Sequence, residues 1–351
     1  MNNDKIYDFL LENAGPSIQY RTKKEIIKHI SLEEEQALQE QILLEKDIRY
    51  IFENRQPDGW LGTCFHSRMR GAKHLDVCEV ALRFLAEKGI KLDHEVFSGA
   101  MNAYLTRDKL DPIYDGSGKL DDDYKYPCMG LWLVRSSGIA RCGYENSIDI
   151  SKDINYSLNS FLTVLNYNNI QKAISLSKGG KYYFKENLLW PCNYHLKILA
   201  FTNSWRTTEN IKQLARAIDH LLSFPVFEHP VYTKIKSFYA APCDAFIQPP
   251  IEKFDPLNVK GMWFEKMELF LRCGVLPYSK YLLSEIFKLG ETIDNNGICQ
   301  SYVDKPFFKN WGAYSGLKLE ENWRTEVKKR CDITFRALLI LSYAEKDKRI
   351  L

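Results

Sequence analysis

The chain has 351 residues, 45% hydrophobic and 26% charged, with 48 basic and 45 acidic side chains giving a net charge of +3. No stretch reaches the ~18 uninterrupted apolar residues of a membrane helix, and the charges alternate along the chain with no basic stripe, so no transmembrane segment and no nucleic-acid partner is expected. The first residues lack the basic-then-apolar pattern of an export signal, and nine cysteines spread without paired spacing predict reduced thiols in a soluble, cytoplasmic protein.

Helical periodicity dominates and sustained period-2 alternation is scarce. The spacing predicts helices over "YDFLLEN" (7–13), "RTKKEIIKHI" (21–30) and "LEEEQALQEQILLEKDIRYIFENR" (32–55), with Gly15-Pro16 breaking the first. A repeated helix follows: "VCEVALRFLAEKGI" (77–90), "PCMGLWLVRSSGI" (127–139), "PCNYHLKILAFTNSW" (191–205), "MWFEKMELFLRCGVL" (262–276) and "RCDITFRALLILSYA" (330–344). Cysteine stands second in four of the five, and Cys78, Cys128, Cys192, Trp263 and Cys331 are spaced by 50, 64, 71 and 68 residues. More polar helices lie between them, over 94–107, 151–167, 207–224 and 279–290.

Hairpins that cannot each bury an apolar face gain by stacking, and their uneven period favours a closed ring over an open solenoid. The expected fold class is therefore all-α, an (α/α) toroid of five to six helical hairpins spanning residues 49–351. A helical lead-in, residues 1–48, is expected to pack on it, and no Pro/Gly/Ser-rich linker cuts the chain. The aromatic content of 13% suits a large core or a ring-lined cavity.

Pro-Cys occurs at 127–128, 191–192 and 242–243, more often than 13 prolines and nine cysteines would give by chance. Proline favours the first helical turn, so the cysteine after it meets outward N–H groups that lower a thiol pKa. Parallel inner helices would bring Cys78, Cys128, Cys192, Cys243 and Cys331 to one rim, beside His74, Asp76, Trp190, His195, Asp244, Trp263 and Asp332. Two readings stand: a concave mouth of thiols, carboxylates and histidines binding a metal or an electrophile, or small buried side chains packing where helix ends crowd. For Asp76 the local alternative is a capping box with Glu79. His195, one turn after Cys192, is either its ligand partner or a hydrogen-bonded core histidine.

"FENRQPDGW" (52–60) resembles the QW motif of terpenoid cyclases in Phe52, Gln56, Gly59 and Trp60, without the residue usual between Gly and Trp. "ENAGPSIQYRTKKEI" (12–26) and "WGAYSGLKLEENWRTEVKKRCDITFRALLIL" (311–341) resemble the two ends of bacterial proteins with prenyltransferase and squalene-oxidase repeats. The chain thus resembles the α/α-toroid superfamily, and the resemblance implies a hydrophobic, isoprenoid-like ligand in a central cavity. Asp121, Asp122 and Asp123 are the nearest match to the cyclase acid or to a magnesium-diphosphate motif, but they lack the cyclase spacing and meet Lys125 where the second motif needs an acid; a solvated acidic loop is the alternative. Asp76-x-Cys78 resembles the zinc pair of protein prenyltransferase β subunits, with His195 the nearest third donor. The resemblance leaves zinc or magnesium as candidate cofactors, and Asp76, Asp121, Asp122, Asp123 and His195 from the resemblance, with Asp244 from the Pro-Cys rim, are the candidate catalytic groups. A carbohydrate-active α/α barrel and a non-catalytic helical-repeat binding protein are the competing functions.

Overall fold

The computed structural model describes residues 5–66, 73–107, 110, 126, 128, 130–235, 237–247, 249–260 and 262–345. Its helices are α1 (Lys5–Asn13), α2 (Pro16–Arg21), α3 (Leu32–Leu43), α4 (Lys46–Glu53), α5 (Cys78–Glu87), α6 (Glu95–Thr106) and α7 (Leu131–Arg141), then α8 (Ser151–Thr163), α9 (Asn193–Phe201), α10 (Thr208–Leu222), α11 (Trp263–Arg272), α12 (Lys280–Gly290), α13 (Lys305–Lys309) and α14 (Glu326–Glu345). All nine helices expected after residue 60 are present. The stretch 32–55, read as one helix, is two: Ser31 and Glu34 cap α3 reciprocally, and α4 restarts behind Glu45. Part of the predicted 21–30 helix is a π-helical turn over Thr22–Ile27.

The all-α expectation is overturned. Helix makes up 54% of the structure, and the rest includes a four-stranded mixed sheet, so the chain is a mixed α/β protein. Its strands are β1 (Ile174–Leu176), β2 (Tyr182–Phe184), β3 (Val231–Ile235) and β4 (Phe238–Ala240), in the order β1-β2-β3-β4. Three of them are only three residues long, too short for an alternating pattern to register. The chain divides into two compact units: residues 1–107, 253–268 and 282–351 form the first, and residues 108–252 and 269–281 the second. No helix among the described residues is long and apolar enough to cross a membrane.

In the first unit α1 packs on α14 and α2 on α3. The QW-like stretch has a structural use here: Gln56 N–H donates to Trp60 O at 2.8 Å, and the Arg107 guanidinium lies 4.1 Å over the buried Trp60 ring while bonding Asp58 and Gln56. Gly59 has φ +96°, and a Cβ there would stand 2.3 Å from Gly99 O, so only glycine fits. The unit's core also holds charge. Glu87 Oε2 accepts from Arg21 Nη1 and from Arg336 Nη1, each at 2.8 Å, with all three residues buried. Arg336 also donates to Leu317 O at 2.8 Å and faces Glu268 at 3.5 Å; Lys88, equally buried, pairs with Glu45.

In the second unit α7 and α8 pack on α9, and α10 on α8. The β1–β2 hairpin turns through Ser177–Lys181, where Ser177 N–H donates to Lys181 O at 2.9 Å. β2 and β3 run parallel, as the long crossover through α9 and α10 allows; β3 and β4 are antiparallel. Val231, Thr233 and Ile235 point into the core while Tyr232 and Lys234 point away, the two-residue alternation of a strand with one solvated face.

Candidate functional site

The residues singled out from sequence fall into both units. In the first, Asp76 ends a single 3₁₀ turn, His74–Asp76, and its carboxylate accepts from Lys73 N–H at 2.7 Å and from the Tyr50 hydroxyl. The capping box with Glu79 does not form, because the helix begins only at Cys78, behind Val77. Glu79 instead meets His66 Nδ1 at 2.9 Å. Cys78 is fully buried, and burial pushes its thiol up to about 12, so it stays protonated at neutral pH. His74 is exposed on the same turn.

Trp263 is a core ring 4.7 Å from Phe254, and Cys331, in the second turn of α14, has its thiol pushed up to about 12 by burial. Asp332 accepts from Leu319 N–H at 2.5 Å, Trp323 Nε1 at 2.6 Å and Glu320 N–H at 3.3 Å. Burial outweighs these donors and raises its carboxyl to about 6.

The second unit does bring the Pro-Cys segments together. Cys243 N–H donates to Cys128 O at 2.8 Å, Phe246 N–H to Pro191 O at 3.1 Å, and Asn193 N–H to Asp244 O at 3.1 Å. Trp190, buried among Tyr167, Phe184 and Phe224, donates from its indole to Phe246 O at 3.1 Å. Cys192 is the N-cap of α9: its sulfur accepts from the His195 backbone N–H, while its own N–H donates to His195 Nδ1 at 3.1 Å. His195 Nδ1 thus serves as the acceptor at the head of its own helix. Trp132 and Tyr156 flank the imidazole at 6.0 and 5.7 Å.

Burial works against charge at both sulfurs of this cluster. Hydrogen bonding from the Cys128 thiol, together with the His195 ring and backbone, nevertheless holds Cys192 well below the ordinary thiol range, and Cys128 is pushed well above it by burial and by giving that bond. The Cys128 thiol also stands 3.1 Å from Trp190 O. Four of the sequence-predicted side chains, Cys128, Cys192, His195 and Cys243, thus share one buried knot, with Asp244 at its edge. Asp76 and Cys78 belong to the first unit and His195 to the second. Among the described residues no three His, Cys, Asp or Glu side chains gather so as to hold a metal ion. Asp121, Asp122 and Asp123 lie outside the described residues.

All nine cysteines are buried, and each is a thiol rather than half of a disulfide. Thiol titration of the folded protein with a water-soluble disulfide reagent is therefore expected to modify fewer than about one cysteine per chain on the minute scale, against nine after unfolding. Rapid modification of Cys192 in the folded state would contradict the enclosed knot.

The surface that sequence reasoning missed is the outer face of the sheet. A cleft of about 480 Å³ opens there, lined by Ser177, Lys178, Lys181, Tyr183, Lys234 and Tyr239 together with Leu176 and Gly179, and with no acidic residue among the described lining residues. Lys181 Nζ stands 5.2 Å from the Tyr239 ring centre and 5.7 Å from that of Tyr232, and Lys234 Nζ 5.3 Å from that of Tyr183. Register explains the grouping: Tyr183 pairs with Tyr232, and Lys234 with Tyr239, so these side chains share one face. "VYTKI" (231–235), with its buried Val, Thr and Ile at alternate places, was the sequence signal for it. Comparison of the chain with protein families, curated proteins and solved structures found no match in any of the three.

Proposed function

We propose that the chain is a ligand-binding protein that takes up an anionic, phosphate-like group in the lysine–tyrosine cleft. The observation that carries this reading is the cleft's lining: three lysines and two tyrosines around about 480 Å³, with no carboxylate among the described lining residues. An exposed ammonium over an aromatic ring gains about 0.5–1 kcal/mol, whereas a hydrogen bond to a charged group is worth about 1.5–3 kcal/mol. An anion therefore draws the lysines off the rings and neutralises charge that the cleft itself leaves uncompensated.

This develops the binding-protein alternative. The isoprenoid-like ligand implied by the family resemblance draws no support from this face, where Leu176 is the one aliphatic side chain among the described lining residues. A nucleophilic role for the thiol knot draws none either, since Cys192 and His195 are fully enclosed.

Calorimetric titration with inorganic pyrophosphate tests the proposal. Binding is expected to weaken as sodium chloride is raised, since exposed charges are screened. The pair Lys181→Ala and Lys234→Ala is expected to cost at least about tenfold in affinity, because about 1.4 kcal/mol of lost contact is already a factor of ten. Unaltered binding by the double variant would overturn the proposal.

A further inference from the structure

We infer that the anion bound on this face is part of a nucleoside phosphate, its base stacking on the tyrosines that the lysines now cover. The inference rests on the anion-binding reading and adds the ligand's second half. Three tyrosines stand on three successive strands, Tyr183 on β2, Tyr232 on β3 and Tyr239 on β4, all on the side away from the core. The register gathers their rings on that face, with Tyr239 within 6.4 Å of both Tyr183 and Tyr232, close enough for one planar group to reach more than one ring.

The rings are not stacked on one another. Tyr183 and Tyr239 are 5.7 Å apart at 63°, and Tyr232 and Tyr239 6.4 Å apart at 72°, edge-to-face contacts that each take up one face of one ring. What covers the faces is ammonium: Lys181 over Tyr232 and Tyr239, Lys234 over Tyr183. A phosphate that recruits both lysines uncovers the rings in the same step. Recognition of the anion and exposure of the stacking platform are thereby coupled, and a ligand carrying both parts gains from both.

The size agrees. A cleft of about 480 Å³ lies within the ~300–1,000 Å³ of small-molecule sites. The even mixing of charge along the chain speaks against a long nucleic-acid track, and one nucleotide needs no such track. The same chemistry is offered by a free nucleotide or by one residue of a strand.

Calorimetry on the full chain at low salt, with phosphate, ribose 5-phosphate, AMP, adenosine and an oligoadenylate of eight residues, separates the cases. AMP is expected to bind at least about tenfold tighter than ribose 5-phosphate, the range of one base stacked on an aromatic ring. That margin should disappear in Tyr183→Leu/Tyr239→Leu, which keeps apolar bulk on the sheet, while ribose 5-phosphate binds at least as tightly as to the wild-type chain, because its lysines no longer have to leave a ring. An octanucleotide binding no tighter than AMP assigns the site to the free nucleotide; one binding tighter than its count of sites explains assigns it to a strand, and both outcomes uphold the base. AMP binding no tighter than ribose 5-phosphate, while phosphate still binds through the lysines, overturns the nucleotide inference alone. No binding by any phosphate compound overturns it together with the anion reading.

Discussion

Glu87→Gln is expected to lower the unfolding free energy by about 3–5 kcal/mol, the cost of leaving buried charge uncompensated. One carboxylate oxygen of Glu87 receives two guanidinium groups, Arg21 and Arg336, at 2.8 Å each, and both arginines are about 1% exposed. The substitution keeps the size of the side chain and removes only the charge that holds the two cations together. Arg21 retains Glu25, and Arg336 retains Leu317 O and the more distant Glu268. The effect is therefore expected at the lower end of that range. Glu25→Gln serves as the comparison: its side chain is 29% exposed and meets Arg21 at 2.5 Å, and losing a partly solvated carboxylate costs less than losing a buried one. Urea denaturation of the three proteins measures the difference. A loss below about 1 kcal/mol in Glu87→Gln, no larger than an exposed pair, would contradict the buried bridge.

The second large effect is a pH dependence set by Asp332. Burial raises its carboxyl from 3.8 to about 6 in the folded chain, against the opposing pull of Trp323 and Leu319 N–H. A group whose folded pKa lies above its unfolded value binds its proton more tightly when folded. Its contribution is full below pH ~4 and is lost as the pH rises through ~6, and a shift of this size is worth about 3 kcal/mol. Relative to Asp332→Asn, which cannot titrate, the wild-type chain should lose that amount of stability between pH 4 and 7. Every other acid titrates in both proteins and cancels in the comparison. Denaturation midpoints of both proteins across that range check it, and a difference that stays constant with pH would contradict the buried, raised carboxyl.

The helices were legible in the sequence because each repeats its apolar positions over two to four turns, as in Cys78–Glu87 and Thr208–Leu222. The strands were not, since Ile174–Leu176, Tyr182–Phe184 and Phe238–Ala240 each end before a period of two can be seen. Of the candidate site residues, the Pro-Cys repeats carried real positional information: Cys128, Cys192 and Cys243 meet in one knot through backbone bonds. Their enclosure could not be read from composition, because a buried thiol and a rim thiol have the same local sequence. Asp76 misled in its cap, since a 3₁₀ turn intervenes and turns the carboxylate back to Lys73. The lysine–tyrosine face was hidden by averaging: a chain-wide charge of +3 conceals three lysines that come from two segments some 50 residues apart in sequence and meet only through the β2–β3 pairing.

A crystal structure of the protein grown with pyrophosphate tests the central claim most directly. The account predicts the anion in the sheet cleft, in hydrogen-bond contact with Lys181 and Lys234, with both ammoniums drawn away from the Tyr183 and Tyr239 rings that they now face. Pyrophosphate bound elsewhere on the chain, with the two lysines still resting on their tyrosines, would contradict it.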